Sequence, residues 1–413
     1  MTIKPSSKWM NTREKARDAF RNAIAERRAA GKDVVSLEEG DPPHWGFTNQ
    51  ALSDYLVQAA TEGWHMYPYS TSWEKDLRAA IAEFEKKYRG GKYSLENMAL
   101  APGLASALAV LHYALLDQGD EVVAPDPSHY LTGPTRYWPY LGAKVIQYRT
   151  VEDEDWKPDL DDMKNRITNR TKAIFVNSPN NPTGAVYDEK MLRKIINIAA
   201  QYNIPLISDE IYGLITYDGV KSPSMPTLSK DVPVIMLSGM SKFFMRTGWR
   251  VGYLCIHDPT GTMAEVTKVI RKVATMYGHG STCIPTPILV AATRVYMHAV
   301  ERGLPETDRM IQELESRRNY TMKRFSEISS ISCRNPKGAL YAFPRINGIG
   351  KTWKTDQDFM LDLLKEEGVL MDTGSAYGNL GESHVRTLLL PKMEILEKVY
   401  NKLEEFLKKR GAA

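Results

Sequence analysis

The middle of the chain alternates short apolar runs with amphipathic stretches, and that rhythm constrains the fold more than any other feature. EVVAP (121–125), KVIQY (144–148), KAIFVNSP (172–179), PLISDE (205–210), VIML (234–237) and VGYLCI (251–256) read as strands, with helical stretches such as 189–201 between several of them. Runs this uniformly apolar belong in a sheet covered on both faces, and alternation of strand with helix marks a mostly parallel α/β sheet. Helical spacing also marks residues 13–30, stopped by Gly31, residues 73–87 with Leu77, Ile81 and Phe84 on one face, and residues 104–116. VVSLEEGDPP (34–43) reads as a short extended segment running into a Gly/Pro loop. From about Gly261 the chain becomes helix-rich, with a charged amphipathic helix over 306–327, shorter α+β elements and a terminal helix ending at Lys409. The expected architecture is a large α/β domain over 46–290 and a smaller α+β domain over 291–413, to which the N-terminal segment 1–45 also belongs.

Charge and cysteine content narrow the partners. Over 413 residues, 54 basic side chains nearly balance 50 acidic ones, leaving +4, too little to argue for nucleic acid or an anionic membrane. No segment has the apolar length of a membrane helix, and the N-terminus lacks the apolar core of a signal peptide. Cys255, Cys283 and Cys333 lie far apart without metal-ligand spacing, which fits a reducing interior and no metal site. A cytoplasmic enzyme acting on small molecules is the expectation.

Ligands of open α/β sheets sit in loops beyond the carboxyl ends of the strands. Here those loops carry NSPNNPTG (177–184), SDEIY (208–212) and SGMSK (238–242), while Pro102-Gly103 opens a helix. In the last strand-end loop Lys242 is flanked by Ser238, Gly239 and Ser241, with Arg250 eight positions on. Singly, each has an ordinary reading: a turn, a helix cap, a basic surface. Together and in order they say more. Asn181 to Gly184 as NPTG, Asp209-x-x-Tyr212, Ser241-Lys242-x7-Arg250 and the late Arg386 of GSAYG…HVR make the chain resemble the class I/II aminotransferases, fold-type I enzymes that use pyridoxal 5′-phosphate. The resemblance runs from VVSLEEGDPP to SHVRTLLL, nearly the whole chain.

The resemblance implies roles that suit the residue types. Lys242 would condense with the cofactor aldehyde as a Schiff base and carry a proton between substrate and cofactor. Asp209 would accept a charge-assisted bond from the pyridinium nitrogen. Asn181 and Tyr212 would hydrogen-bond the ring's phenolic oxygen. The phosphate would meet backbone N–H groups after Gly103, at Leu104 and Ala105, together with the Ser241 hydroxyl and the Arg250 guanidinium. Arg386 would fork onto the substrate α-carboxylate, with Asn181 and the Gly40 backbone beside it. Tyr67, or Tyr69, would reach the phosphate of a neighbouring subunit, which implies a homodimer.

Three positions depart from the family pattern. Trp73 stands where a Gly usually precedes the early Leu-Arg, Gly239 replaces a Ser, and counting in PDPSHY (125–130) places His129 as the ring-stacking residue, or Tyr130 after a one-residue shift. A second cation for a dicarboxylate substrate has Arg136, Arg246 and Lys354 as candidates, Arg246 reading better as a surface or interface charge. RYWPY (136–140), with Trp45 and Phe47, reads as core or interface, or else as an apolar pocket wall. The leading reading is a ping-pong aminotransferase moving the α-amino group of an aspartate-, alanine- or aromatic-type L-amino acid to a 2-oxo acid, with 2-oxoglutarate the expected acceptor. A carbon–sulfur or β-elimination lyase on the same scaffold is the alternative, and a non-catalytic ligand-binding protein a third.

Overall fold

Eight strands form one sheet in the computed structural model, which describes residues 14–129, 137–279 and 283–411. Setting aside β1 (Val35–Ser36), they are β2 (Met98–Ala101), β3 (Glu121–Asp126), β4 (Lys144–Val151), β5 (Lys157–Pro158), β6 (Thr171–Asn177), β7 (Leu206–Asp209), β8 (Val234–Gly239) and β9 (Gly252–His257). Their spatial order is β2-β9-β8-β7-β6-β3-β4-β5. The run from β8 to β4 is parallel, whereas β9 lies antiparallel between β8 and β2, and β5 closes the other edge antiparallel. All six apolar runs are strands of this sheet. The sequence reading missed β2 and β5, which are too short to show a period.

The main helices are α1 (Glu14–Ala29), α2 (Trp73–Arg89), α3 (Leu104–Leu115), α4 (Glu189–Tyr202), α5 (Ala264–His279), α6 (Thr286–Arg302), α7 (Pro305–Ser326), α8 (Asp356–Glu367) and α9 (Met393–Lys409). Successive strand residues face opposite ways, and the cores follow that period. Phe175, Ile207 and Ile235 pack with Leu108 and Leu111 of α3 and Ile270 of α5. Their neighbours Ile174, Leu206 and Val234 pack on the other face with Leu192, Ile195 and Ala199 of α4. A third core joins the expected face of α2 (Leu77, Ile81, Phe84) to Phe243, Tyr296, Leu363 and Phe406.

The C-terminal strands are β10 (Ile331–Ser332), β11 (Tyr341–Ala342), β12 (Arg345–Ile346), β13 (Val369–Leu370), β14 (Asp372–Thr373) and β15 (Val385–Leu388). In one small sheet β15 lies between β11 and β14, antiparallel to both. The N-terminal segment is tied to this region, because β1 pairs in parallel with β13 and Arg27 of α1 donates to the carbonyls of Lys365 and Glu366 at 2.7 and 3.0 Å.

Two aromatic positions and one cation resolve here. Phe47 and Trp138 are buried core residues, Trp138 donating its indole N–H to the Leu108 carbonyl at 3.0 Å. Arg246 is not the surface or interface charge expected from sequence. It is buried, and donates from its two terminal nitrogens to the Met245 carbonyl at 2.9 Å, the Ser53 hydroxyl at 3.0 Å and the Asn49 carbonyl.

Behind the end of β7 lies a buried ionic cluster. Arg89, the last residue of α2, pairs with Glu210 and stands 3.9 Å from Glu85. Tyr253 donates to Glu85 at 2.6 Å, while the Ser208 and Ser224 hydroxyls (each 2.8 Å) and the Met225 N–H (2.9 Å) donate to Glu210. A β-carbon on Gly213 would sit 2.2 Å from Arg89 Nη1, so a larger residue there would have to shift the guanidinium. Burial pushes the Glu85 carboxyl up, and Arg89 opposes that. Arg89→Met would strand two buried carboxylates, and we expect a loss of about 3–5 kcal/mol, read as a lower urea midpoint. An unchanged midpoint would show that the pair does not hold α2 to the sheet.

Candidate active site

The loops after β6, β7 and β8, the start of α3 and the segment after β1 surround a cavity of about 780 Å³. Gly40, Leu104, Ala105, His129, Asn181, Asp209, Tyr212, Ser241, Lys242, Arg250 and Arg386 all line it. Gly103 stands just behind, its backbone at φ 84°, where a β-carbon would lie 2.3 Å from Arg250 Nη2. Tyr130, the alternative to His129, lies outside the described residues, as does Arg136. Tyr67 and Tyr69 do not line the cavity. They are 67% and 58% exposed and stack on each other with ring centroids 5.1 Å apart.

The lysine turn depends on close backbone approach. A β-carbon on Gly239 would meet the Val251 carbonyl oxygen at 2.5 Å, and one on Gly252 would meet Gly103 at 2.8 Å. These contacts account for a glycine where the family pattern has serine. Half-buried Lys242 donates from its amine to the Gly40 carbonyl at 2.7 Å. Arg250 sits at φ 54° with an exposed side chain that donates to the Thr247 carbonyl at 2.9 Å, and the Thr247 hydroxyl in turn donates to Asp41 at 2.5 Å.

Two asparagines tie neighbouring strand ends together. Asn177 donates its amide to the Asp209 carbonyl oxygen at 3.1 Å, and its own side-chain oxygen accepts the Asn181 N–H at 2.9 Å. The Asp209 carboxylate faces the cavity and accepts the Ile211 N–H at 3.1 Å. Protein packed around it pushes its pKa up to about 7; the Ile211 N–H and the Lys242 charge act against this, and Glu210 adds to it. A carboxylate so placed is only partly compensated by the cation nearby.

Arg386 comes from β15, directly opposite Asp372 of β14, and pairs with it. It also donates to the Glu38 carbonyl and, at 3.4 Å, to the Asn181 side-chain oxygen. Its guanidinium lies 4.4 Å from the Tyr341 ring centroid and 5.3 Å from that of Tyr377. Burial alone would weaken its hold on its proton, but Asp372 and the surrounding tyrosines more than offset this and keep it cationic. Its Nε has no partner among the described residues. Tyr212 shares a hydrogen bond of 2.8 Å with Tyr341, and burial raises its pKa far enough to keep its phenol protonated. The sequence reading missed Tyr341, Asp372, Glu38, Asp41 and Thr247. Asp372 is found only through strand register, and Tyr341 carries no local signal beyond GALYAFP (338–344).

The residues fit pyridoxal phosphate. First-turn N–H groups of a helix have no intrahelical acceptor, and those of Leu104 and Ala105 open α3 at the cavity wall. With the Ser241 hydroxyl and the Arg250 guanidinium they form a donor set for a phosphate. Asp209 matches a protonated ring nitrogen, and Lys242 an aldehyde.

Comparison with known proteins agrees. Residues 32–402 match the family described as aminotransferase class I and II. The chain is 30% identical over 414 residues to the glutamate-pyruvate aminotransferase AlaA of Escherichia coli K12, covering 98% of each. It is 28% identical over 411 residues to an alanine aminotransferase of Mycobacterium tuberculosis, covering 97% of this chain and 92% of the relative. Among solved structures, an alanine aminotransferase from Pyrococcus furiosus superposes with a TM-score of 0.89 at 38% identity, covering 98% of this chain and all of that one. The chain therefore belongs to the class I and II aminotransferases and is a pyridoxal-phosphate-dependent transaminase.

Proposed function

We propose that the enzyme moves the amino group of alanine to 2-oxoglutarate and catalyses the reverse exchange. The observation that carries this reading is the charge on the cavity wall. Among the described lining residues the cations are Lys242, Arg250 and Arg386, and each already has a partner in the reading below. Glu38, Glu39 and Asp41 stand at the same wall, so an uncharged donor such as alanine suits it better than aspartate, while the glutamate and 2-oxoglutarate half of the exchange is supported by the relatives' names and not by this charge. The names of the glutamate-pyruvate and alanine aminotransferase relatives support the same pair of substrates.

In this reading Arg386 forks onto the α-carboxylate common to donor and acceptor, with Asn181 beside it and the Gly40 backbone close by. When bound, pyridoxal phosphate supplies the aldehyde that takes the amino group and a ring that spreads the charge left on the substrate α-carbon. Lys242 Nζ would carry the α-proton from the donor's α-carbon to the cofactor, the shift that lets the oxo acid leave without its nitrogen, and would carry a proton back to the acceptor's α-carbon in the second half-reaction. Asp209 would accept a hydrogen bond from the ring N–H, Asn181 and Tyr212 would donate to the ring oxygen, and His129 would stack on the ring. Leu104, Ala105, Ser241 and Arg250 hold the phosphate. We assign Tyr67, or Tyr69 beside it, to the phosphate of a second subunit, since both are exposed on their own chain and Tyr69 borders a separate cavity of about 140 Å³. The active species is then a homodimer. No helix among the described residues is long and apolar enough to cross a membrane, and we place the enzyme in the cytoplasm.

Three measurements test this. Alanine or glutamate, added singly to cofactor-loaded protein, should bleach the visible band and release pyruvate or 2-oxoglutarate, while aspartate responds weakly. A response to aspartate with alanine silent would overturn the donor assignment, and conversion of added cysteine to pyruvate, ammonia and sulfide would move the enzyme to the lyase reading. Light scattering should give the mass of two chains; an active single chain would remove the shared-site role of Tyr67 and Tyr69. The third concerns Asp209. Its folded pKa of about 7 lies above the unfolded value, so its stabilisation is complete at acid pH and lost as pH rises through about 7. Cofactor-free protein should therefore lose stability over that window relative to Asp209→Asn, and cofactor should abolish the difference. Parallel curves without cofactor would show that Asp209 is not raised.

A further inference from the structure

We infer that Tyr341 is a positioning residue which donates its hydroxyl hydrogen to Tyr212, aims the Tyr212 hydroxyl at the cofactor, and supports Arg386 with the face of its ring. This rests on the roles proposed above for Tyr212 and Arg386. Tyr341 is 2% exposed and held in β11 by pairing with Leu388 of β15, the strand that carries Arg386. From there it touches three separated parts of the site. Its hydroxyl lies 2.8 Å from that of Tyr212, with the two rings edge to face at 5.8 Å. Its ring carries the Arg386 guanidinium at 4.4 Å. Its hydroxyl also accounts for Gly40, where a β-carbon would come within 2.3 Å of it.

The donor direction follows from proton counting. Two hydroxyls in one hydrogen bond use one proton between them, and the acceptor keeps its own for another partner. Tyr212 needs its proton for the ring oxygen, so it must be the acceptor from Tyr341. The cation over the Tyr341 ring draws electron density from it and makes its O–H the better donor. A phenol that accepts a hydrogen bond also becomes a stronger donor in its turn. The charged and titratable groups around the Tyr212 hydroxyl, Asp209 and Arg386, belong to the site already described.

The test uses cofactor-loaded protein and the pH midpoint of its visible band. A donor to the ring oxygen competes for that oxygen's charge and lowers the pH at which the neighbouring lysine-linked nitrogen gives up its proton. Tyr212→Phe should raise the midpoint, and Tyr341→Phe should raise it in the same direction by about half a pH unit, the scale of one hydrogen bond. Because Tyr341→Phe keeps the ring, the KM for alanine should stay within about twofold, whereas Tyr341→Leu should raise KM about tenfold by removing the face under Arg386. A shift in Tyr212→Phe with none in Tyr341→Phe overturns the relay and leaves the Tyr212 role standing. No shift in either overturns both. An unchanged KM in folded Tyr341→Leu overturns the support of Arg386. Tyr341→Phe preserves the packing, and it carries the relay test even where Tyr341→Leu does not fold.

Discussion

An under-compensated carboxylate at the end of a parallel strand is the constraint on which the site depends. Asp209 has one backbone donor, the nearby charge of Lys242 and an acidic neighbour in Glu210, and its pKa stands near 7. Such a group is costly to keep charged unless a cation sits against it. The surrounding structure holds it there all the same. Asn177 fixes its backbone, and the Arg89–Glu210 pair anchors the next residue to the end of α2. On the proposed role of Asp209, a cationic ring nitrogen would be the partner this environment lacks, and the stability of the loop and the binding of the cofactor would be two aspects of one electrostatic problem.

The proposed phosphate end answers a different constraint, that of distance. Helix N–H groups bind an anion only if the helix start can reach it. Gly103, Gly239 and Gly252 let the start of α3, the end of β8 and the start of β9 crowd together, where any β-carbon would lie under 3 Å from a neighbour. Arg250 is brought in at a left-handed backbone angle at the end of the lysine turn. Lysine, arginine and helix terminus are thus set by backbone packing rather than by flexible side chains.

Much of this could be read from residues alone because it is local in sequence. The buried strands declare themselves as apolar runs, and the chemistry-bearing loops follow them at once: Asn181 after β6, Asp209 and Tyr212 at β7, Lys242 after β8. What escaped reading is non-local. Asp372 becomes the partner of Arg386 only through the register of β14 against β15, and Tyr341 reaches Tyr212 across 129 positions. Arg246 looked like surface because a lone arginine in sequence carries no sign of the carbonyls that will enclose it. The strand of β2 was too short to register, although it pairs with β9 along four residues. Substrate choice is harder still, since it depends on which charges a cavity lacks.

The segment after β1 shows how far such non-local control extends. Within residues 38–41 the Glu38 carbonyl accepts from Arg386, the Gly40 carbonyl from Lys242 and the Asp41 carboxylate from Thr247. These partners belong to the carboxylate, aldehyde and phosphate ends of the proposed site. The segment is itself aligned by the pairing of β1 with β13, which ends two residues before Asp372. A one-residue slip of that pairing would turn every side chain of β1 to the other face and draw the three contacts out of place together. The N-terminal strand, only two residues long, therefore sets the relative positions of groups that the large sheet and the C-terminal strands supply separately.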